Sequence, residues 1–154
     1  MPLRPRPEIE NLETCVHGGL NYTELKAIGL EPDEILDFSV NSNPFPVPPG
    51  LREAVNNVTI ERYPDSEVTE FRERLATKLG VTPENILAGS GAVELVRLIA
   101  LTYFRLGDPV LILEPTFGEY KVACQISGAG VVSQWGKEEE GFAPRIEETV
   151  SLIR

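Results

Sequence analysis

Histidine, methionine and tryptophan each occur once in these 154 residues, and cysteine occurs twice. Cys15 and Cys124 lie too far apart to read as the disulfide framework of a secreted domain. With His17 as the lone histidine they form no local zinc pattern either, so no metal is expected. Both are expected to be reduced and partly buried. Basic residues are also scarce, 14 against 24 acidic ones, for a net charge of −10. That balance opposes non-specific nucleic-acid binding, which requires a basic surface. No apolar run approaches the roughly 20 residues of a membrane span. The opening Met-Pro-Leu-Arg-Pro-Arg-Pro-Glu has no apolar h-region, which argues against a secretory signal. A cytoplasmic protein that engages neither nucleic acid nor membrane is the expectation.

What is present is ordinary globular composition, 42% apolar and 25% charged, enough for one domain with a real core. Residues 1 to about 10, rich in Pro and Arg, read as an extended or disordered arm. His17-Gly18-Gly19 reads as a flexible turn. Asn21 or Thr23 can cap a helix that runs to Ile28 and stops at Gly29. Ile35 to Val40 has the partial alternation of a strand. Four prolines between Asn41 and Gly50 then forbid regular structure, and Pro48 and Pro49 can open a helix carrying Leu51, Ala54, Val55 and Val58. Ser66 reads as the N-cap of a helix whose stripe is Val68, Phe71, Leu75 and Leu79, closed by Gly80.

The segment from Asn85 to Ala100 is the most informative. A short apolar run, Ile86 to Ala88, reads as a strand that ends in Gly89-Ser90-Gly91 and passes straight into a helix. Backbone N–H groups and the positive end of the helix dipole converge at such a turn, which suits it to a phosphate. The helix is apolar on most faces and is expected to be deeply buried. A strand from Val110 to Leu113 follows and delivers Phe117 to the same sheet edge. A phosphate cradle beside a stacking aromatic suggests a flat, phosphorylated cofactor. A helix from about Gly118 to Ser127, a strand from Val131 to Trp135 and a helix from Ile146 to Ile153 complete the pattern. Strands alternating with helices at this spacing argue for α/β layers.

Taken in order, His17-Gly-Gly, Leu36-Asp-Phe-Ser-Val-Asn-Ser-Asn-Pro44, Arg62-Tyr-Pro-Asp65, Ile86-Leu-Ala-Gly-Ser-Gly91 and Glu114-Pro-Thr-Phe-Gly-Glu-Tyr120 resemble the class I/II aminotransferases, which are pyridoxal-phosphate enzymes. The nearest look-alikes within them are histidinol-phosphate aminotransferase and the threonine-phosphate decarboxylase of cobalamin synthesis. The His-Gly-Gly start leans toward the decarboxylase. The resemblance implies a three-layer α/β/α large domain, of which this chain holds the first part. Residues 1–50 would be an N-terminal arm and substrate-side segment, and 51–154 the opening of the pyridoxal-phosphate domain.

By the same resemblance, the backbone amides of Gly91, Ala92 and Val93 meet the cofactor phosphate, where the family usually adds a hydroxyl or acidic side chain. Phe117 corresponds to the aromatic that stacks on the pyridine ring; stacking needs only a π face. Tyr63 corresponds to a tyrosine that reaches the phosphate in the partner subunit of a dimer. Asn43 corresponds to a position near the substrate carboxylate, and His17 to a contact with an anionic substrate group. The substrate implied is a small phosphorylated amino acid.

Pyridoxal chemistry also needs a Schiff-base lysine and an acidic partner for the pyridinium nitrogen. In the family both follow the region matched here. Lys26, Lys78, Lys121 and Lys137 are the lysines present, and none has the expected setting. The chain therefore reads as the front part of such an enzyme, inactive alone and associating with itself or with a missing C-terminal half. A non-catalytic remnant or split-subunit module is the alternative. A nucleotide-binding domain is disfavoured, because the turn lacks both the Walker lysine and a full Gly-x-Gly-x-x-Gly.

Overall fold

Proline and glycine set most of the element boundaries in the computed structural model, which describes residues 3–13, 15 and 17–153. The helices and strands are α1 (Pro7–Glu10), α2 (Tyr22–Ile28), α3 (Leu51–Asn56), α4 (Thr69–Leu79), α5 (Ala92–Tyr103), β1 (Pro109–Glu114), α6 (Glu119–Ser127), β2 (Gly130–Trp135) and α7 (Ile146–Leu152). They fall into two units. Met1–Val16 joins Ile86–Arg154 in one, and His17–Asn85 forms the other. Among the described residues, no helix is long and apolar enough to cross a membrane.

The first unit is built on a β1–α6–β2 crossover. The two strands run parallel, with Val110 opposite Val131 and Ile112 opposite Ser133. Parallel neighbours require a crossover connection, and α6 supplies it. Gly128, at φ 79°, ends α6. The Ala129 N–H donates to the Cys124 carbonyl (2.9 Å) and the Gly128 N–H to the Gln125 carbonyl (3.0 Å). This double closure turns the chain directly into β2. Ile112, Cys124 and Ala129 form the core, with Phe104, Val110 and Val131 against it. Burying a side chain the size of Ile112 stabilises by roughly 1.5–3 kcal/mol. α7 is held to β2 by the buried Gln134, whose amide donates to the Arg145 carbonyl (3.2 Å) and whose oxygen accepts from Thr149 Oγ1 (2.7 Å).

Two expectations about this unit need correction. The arm is not extended or disordered over residues 7–10, which are helical. Pro7, whose fixed φ suits a first helical position, starts α1. Arg6 then donates to the Ile126 carbonyl (2.9 Å), one of the carbonyls that a helix leaves without partners in its last turn. The second correction concerns α5, which is not deeply buried. Ala100 is 2% exposed, but Ile99 is 51% and Leu101 56% exposed. An all-round apolar helix needs cover on every side, and α6 covers only part of it.

In the second unit the expected strand Ile35–Val40 is absent. The Asp37 carboxylate takes both the N–H (2.7 Å) and the hydroxyl (2.6 Å) of Ser39. Such local bonds bend the backbone away from a ladder. The bend receives the His17-Gly-Gly segment, which is therefore not a loose turn. A Cβ on Gly18 would lie 1.9 Å from the Ser39 carbonyl oxygen, and the Gly19 N–H donates to Ser39 Oγ (2.8 Å). Asn21 caps α2 as expected, accepting from Thr23 and Glu24.

The expected cap of α4 at Ser66 is not found: the helix begins at Thr69, Val68 (φ 49°) holds the N-cap position without a side-chain cap, and the preceding turn is tied by Asp65. Asp65, not Ser66, takes the N–H groups of Glu67 (3.0 Å) and Thr69 (2.8 Å). The same donors, Thr69 first, hold the Asp65 carboxyl below its ordinary range. A group with a lowered folded pKa stabilises above its unfolded pKa and loses that contribution as pH falls through the folded value. Circular dichroism melts are expected to show a lower Tm for Asp65→Ala than for the parent at pH 7. The difference should vanish well below about pH 4, the ordinary aspartate range.

Candidate functional site

Gly89, Ser90 and Gly91 lead into α5, and the backbone there has been shaped around missing side chains. A Cβ on Gly89 would sit 2.8 Å from Glu94 Oε2 and 2.9 Å from Leu95 Cδ2. Gly91 has φ 113° and ψ 165°, a conformation essentially restricted to glycine. Nothing lies within 4 Å of the point where its Cβ would be, so the turn is open above Gly91. No side chain caps the helix. Its first-turn N–H groups, including those of Ala92 and Val93, therefore lack the intrahelical partner that later residues have. The Glu94 carboxylate accepts instead from the N–H of Ser90. It thereby fixes the turn one residue ahead of the cap.

The expected strand before this turn, Ile86–Ala88, is another correction. Strand status requires a laddered neighbour, and among the described residues the sheet contains β1 and β2 alone. The turn therefore begins from irregular backbone.

Phe117 follows the end of β1. The Glu114–Pro115 peptide is cis, the Thr116 N–H donates to Glu114 Oε2 (3.2 Å), and the Tyr120 N–H donates to the Phe117 carbonyl (3.2 Å). The Phe117 ring meets Tyr120 edge-on at 90°, with centroids 5.9 Å apart, a favoured aromatic geometry. It remains 40% exposed. Glu119, the first residue of α6, is 4% exposed. Its Oε2 lies 2.8 Å from the guanidinium of Arg97, in the second turn of α5. This bond joins the second turn of α5 to the first residue of α6, and so links the helix that follows Gly91 to the segment that bears Phe117. Sequence reading missed the pair, since 22 residues separate its members. The available hint was Glu119 in the first turn of a helix, where a carboxylate is favoured.

A cavity of about 320 Å³ lies between α5, β1 and α6, lined by residues such as Val96, Ile99, Phe104, Ile112 and Ala123. Its wall is mostly apolar, Thr116, Tyr120 and Cys124 being its polar members, and it carries no cationic side chain. It is uncovered core rather than a second candidate site.

The remaining expected site residues lie in the second unit. Tyr63 is fully exposed and His17 is exposed. Asn43 is exposed too, and its Oδ1 accepts the Phe45 N–H across Pro44 (3.0 Å), the turn role common for asparagine. Among the lysines, Lys121 is paired with Glu13 at 2.9 Å. The hydrogen bond and charge of Glu13 raise its pKa above the usual lysine value, which favours its ammonium form.

The sequence of residues 33–154 matches the family model described as aminotransferase class I and II. The chain belongs to that family. It is 34% identical over 101 residues to the histidinol-phosphate aminotransferase of Moorella thermoacetica, covering 64% of this chain and 26% of the relative. It is 38% identical over 113 residues to a protein named "Putative threonine-phosphate decarboxylase" from Caldanaerobacter subterraneus subsp. tengcongensis, covering 73% and 30% respectively. Thus the chain spans about a quarter to a third of the length of these relatives.

Solved structures agree on the fold. Aspartate aminotransferase from Thermotoga maritima superposes with a TM-score of 0.70 at 21% identity, over 84% of this chain and 36% of that one. Histidinol-phosphate aminotransferase from Sinorhizobium meliloti, solved in complex with pyridoxal-5'-phosphate, gives 0.67 at 21% identity, over 88% and 36%. The α/β class read from the strand–helix alternation is that of this aminotransferase fold.

Gly91→Ala is expected to lower unfolding stability by about 1–3 kcal/mol, the cost of forcing a side chain into this backbone region. Urea melts of the two proteins measure the difference. An unchanged midpoint would mean that the turn relaxes without its glycine.

Proposed function

We propose that this chain supplies the phosphate turn and the ring-stacking wall of a pyridoxal-phosphate-dependent aminotransferase or decarboxylase acting on a small phosphorylated amino acid. The observation that carries the reading is the uncapped start of α5 at Gly91, tied through Arg97 and Glu119 to the segment bearing Phe117. Its donor set fits the group. Amides at a helix N-terminus suit a phosphate, and an exposed aromatic beside them suits a flat ring. When bound, the cofactor supplies an electron-accepting ring.

The N–H groups of Gly91, Ala92 and Val93 donate to phosphate oxygens, and Phe117 stacks on the ring and orients it. Tyr63, fully exposed, reaches the cofactor phosphate of the partner subunit in a homodimer. Asn43 and His17 face the substrate's anionic groups. The names of the relatives, histidinol-phosphate aminotransferase and threonine-phosphate decarboxylase, favour a phosphate-bearing substrate. The lysine link to the cofactor comes from outside these 154 residues, since Lys121 is held by Glu13 and no other lysine has a suitable setting.

Titration of the 154-residue chain is expected to show pyridoxal phosphate binding roughly tenfold or more tightly than pyridoxal, since charge-assisted bonds to the phosphate are lost in the latter. Phe117→Ala should weaken both ligands. The chain by itself should give no transaminase or decarboxylase turnover, and borohydride should fix no single lysine. Equal affinity for the two ligands would sink the proposed cofactor role. Turnover, or one specifically reduced lysine, would sink the claim of an external lysine.

A further inference from the structure

We infer that the Arg97–Glu119 pair is a spacer that sets the distance between the phosphate turn and the stacking ring, so that a ligand held at both points depends on it and a ligand held at one does not. The inference rests on the cofactor reading above. Its basis is the position of the pair. Arg97 stands six residues beyond Gly91, within one continuous helix. Glu119 stands two residues beyond Phe117 and opens the next helix. Each side chain is thus fixed by rigid backbone to one of the two anchoring points.

Burial makes the contact specific. The Glu119 side chain is 5% exposed and that of Arg97 44%. A carboxylate so far from water must hold a cation or hydrogen-bond donors, and it sits where the α6 dipole also favours negative charge. An exposed pair of long side chains samples many geometries and contributes little. Here the carboxylate end is enclosed, and the guanidinium is drawn to it at 2.8 Å. Apolar side chains at these two positions would hold the helices together as firmly. They would not define a distance, because apolar contact is non-directional. The edge-on packing of Tyr120 against Phe117 at 90° passes the placement of α6 on to the plane of the ring.

A ligand that bridges two subsites gains from their spacing as two linked ligands gain from a matched linker, and it loses that gain when the spacing drifts. Pyridoxal phosphate bridges both points, pyridoxal uses the ring wall alone, and inorganic phosphate uses the turn alone. Arg97 and Glu119 are therefore positioning residues.

The test uses the full chain with these three ligands and three variants. Arg97→Met keeps the stem and removes the charge, Arg97→Lys keeps the charge and changes the reach, and Glu119→Gln keeps the shape. Both Arg97 variants are expected to raise the Kd for pyridoxal phosphate roughly tenfold or more, leaving pyridoxal and phosphate within about twofold of the parent. Glu119→Gln, which still accepts from Arg97, should fall between. The spacer is refuted if all three ligands weaken together, since that marks a general loss of fold. It is equally refuted if pyridoxal phosphate binds the Arg97 variants unchanged. A parent chain with no preference for pyridoxal phosphate over pyridoxal removes the cofactor reading itself, and the spacer with it.

Discussion

The parallel pairing of β1 with β2 is the constraint from which the rest of the first unit follows. Two parallel strands cannot be joined by a tight turn, so a helix must cross between them. That helix, α6, returns the chain to the starting edge of β1, and its own first turn lies at the far edge. Phe117 and Glu119 are carried there by geometry. α5 packs beside α6, and the bond from Arg97 to Glu119 ties its second turn to the start of α6.

Elements with strong local signals were legible in the sequence. β1, α6 and β2 are bounded by Gly107-Asp-Pro109, Gly118, Gly128 and Gly136, and their interiors carry the expected periodicity. Gly29, Gly80 and Gly128 end helices in the left-handed conformation, as glycine at a C′ position should. Two expected strands failed for a common reason. Ile35–Val40 and Ile86–Ala88 have suitable residues, but a strand is a relation between segments, and one segment's pattern does not name its neighbour. In the first case the Asp37–Ser39 bonds also compete with any ladder.

The candidate site was legible as a turn and an aromatic, and silent as to what connects them. The phosphate-type turn shows itself in Gly89-Ser90-Gly91 because backbone of that conformation excludes other residues. Arg97 and Glu119 carry no such mark; each looks like a helix-surface charge until the fold brings them together. The later start of α4, after a turn tied by Asp65, and the short helix at Pro7 have one kind of cause. Each involves a choice among adjacent polar or proline-rich residues that differ little in intrinsic preference, and a long-range or backbone bond decides it.

Asn43 carries a further consequence. Its side-chain oxygen is engaged by the Phe45 N–H, so the polar capacity it turns toward solvent is chiefly that of the amide hydrogens. A molecule arriving at this position meets a donor. An oxyanion or carbonyl satisfies it. A residue that serves as a plain turn-former thus offers solvent chiefly its donors, because the turn has already claimed part of its acceptor.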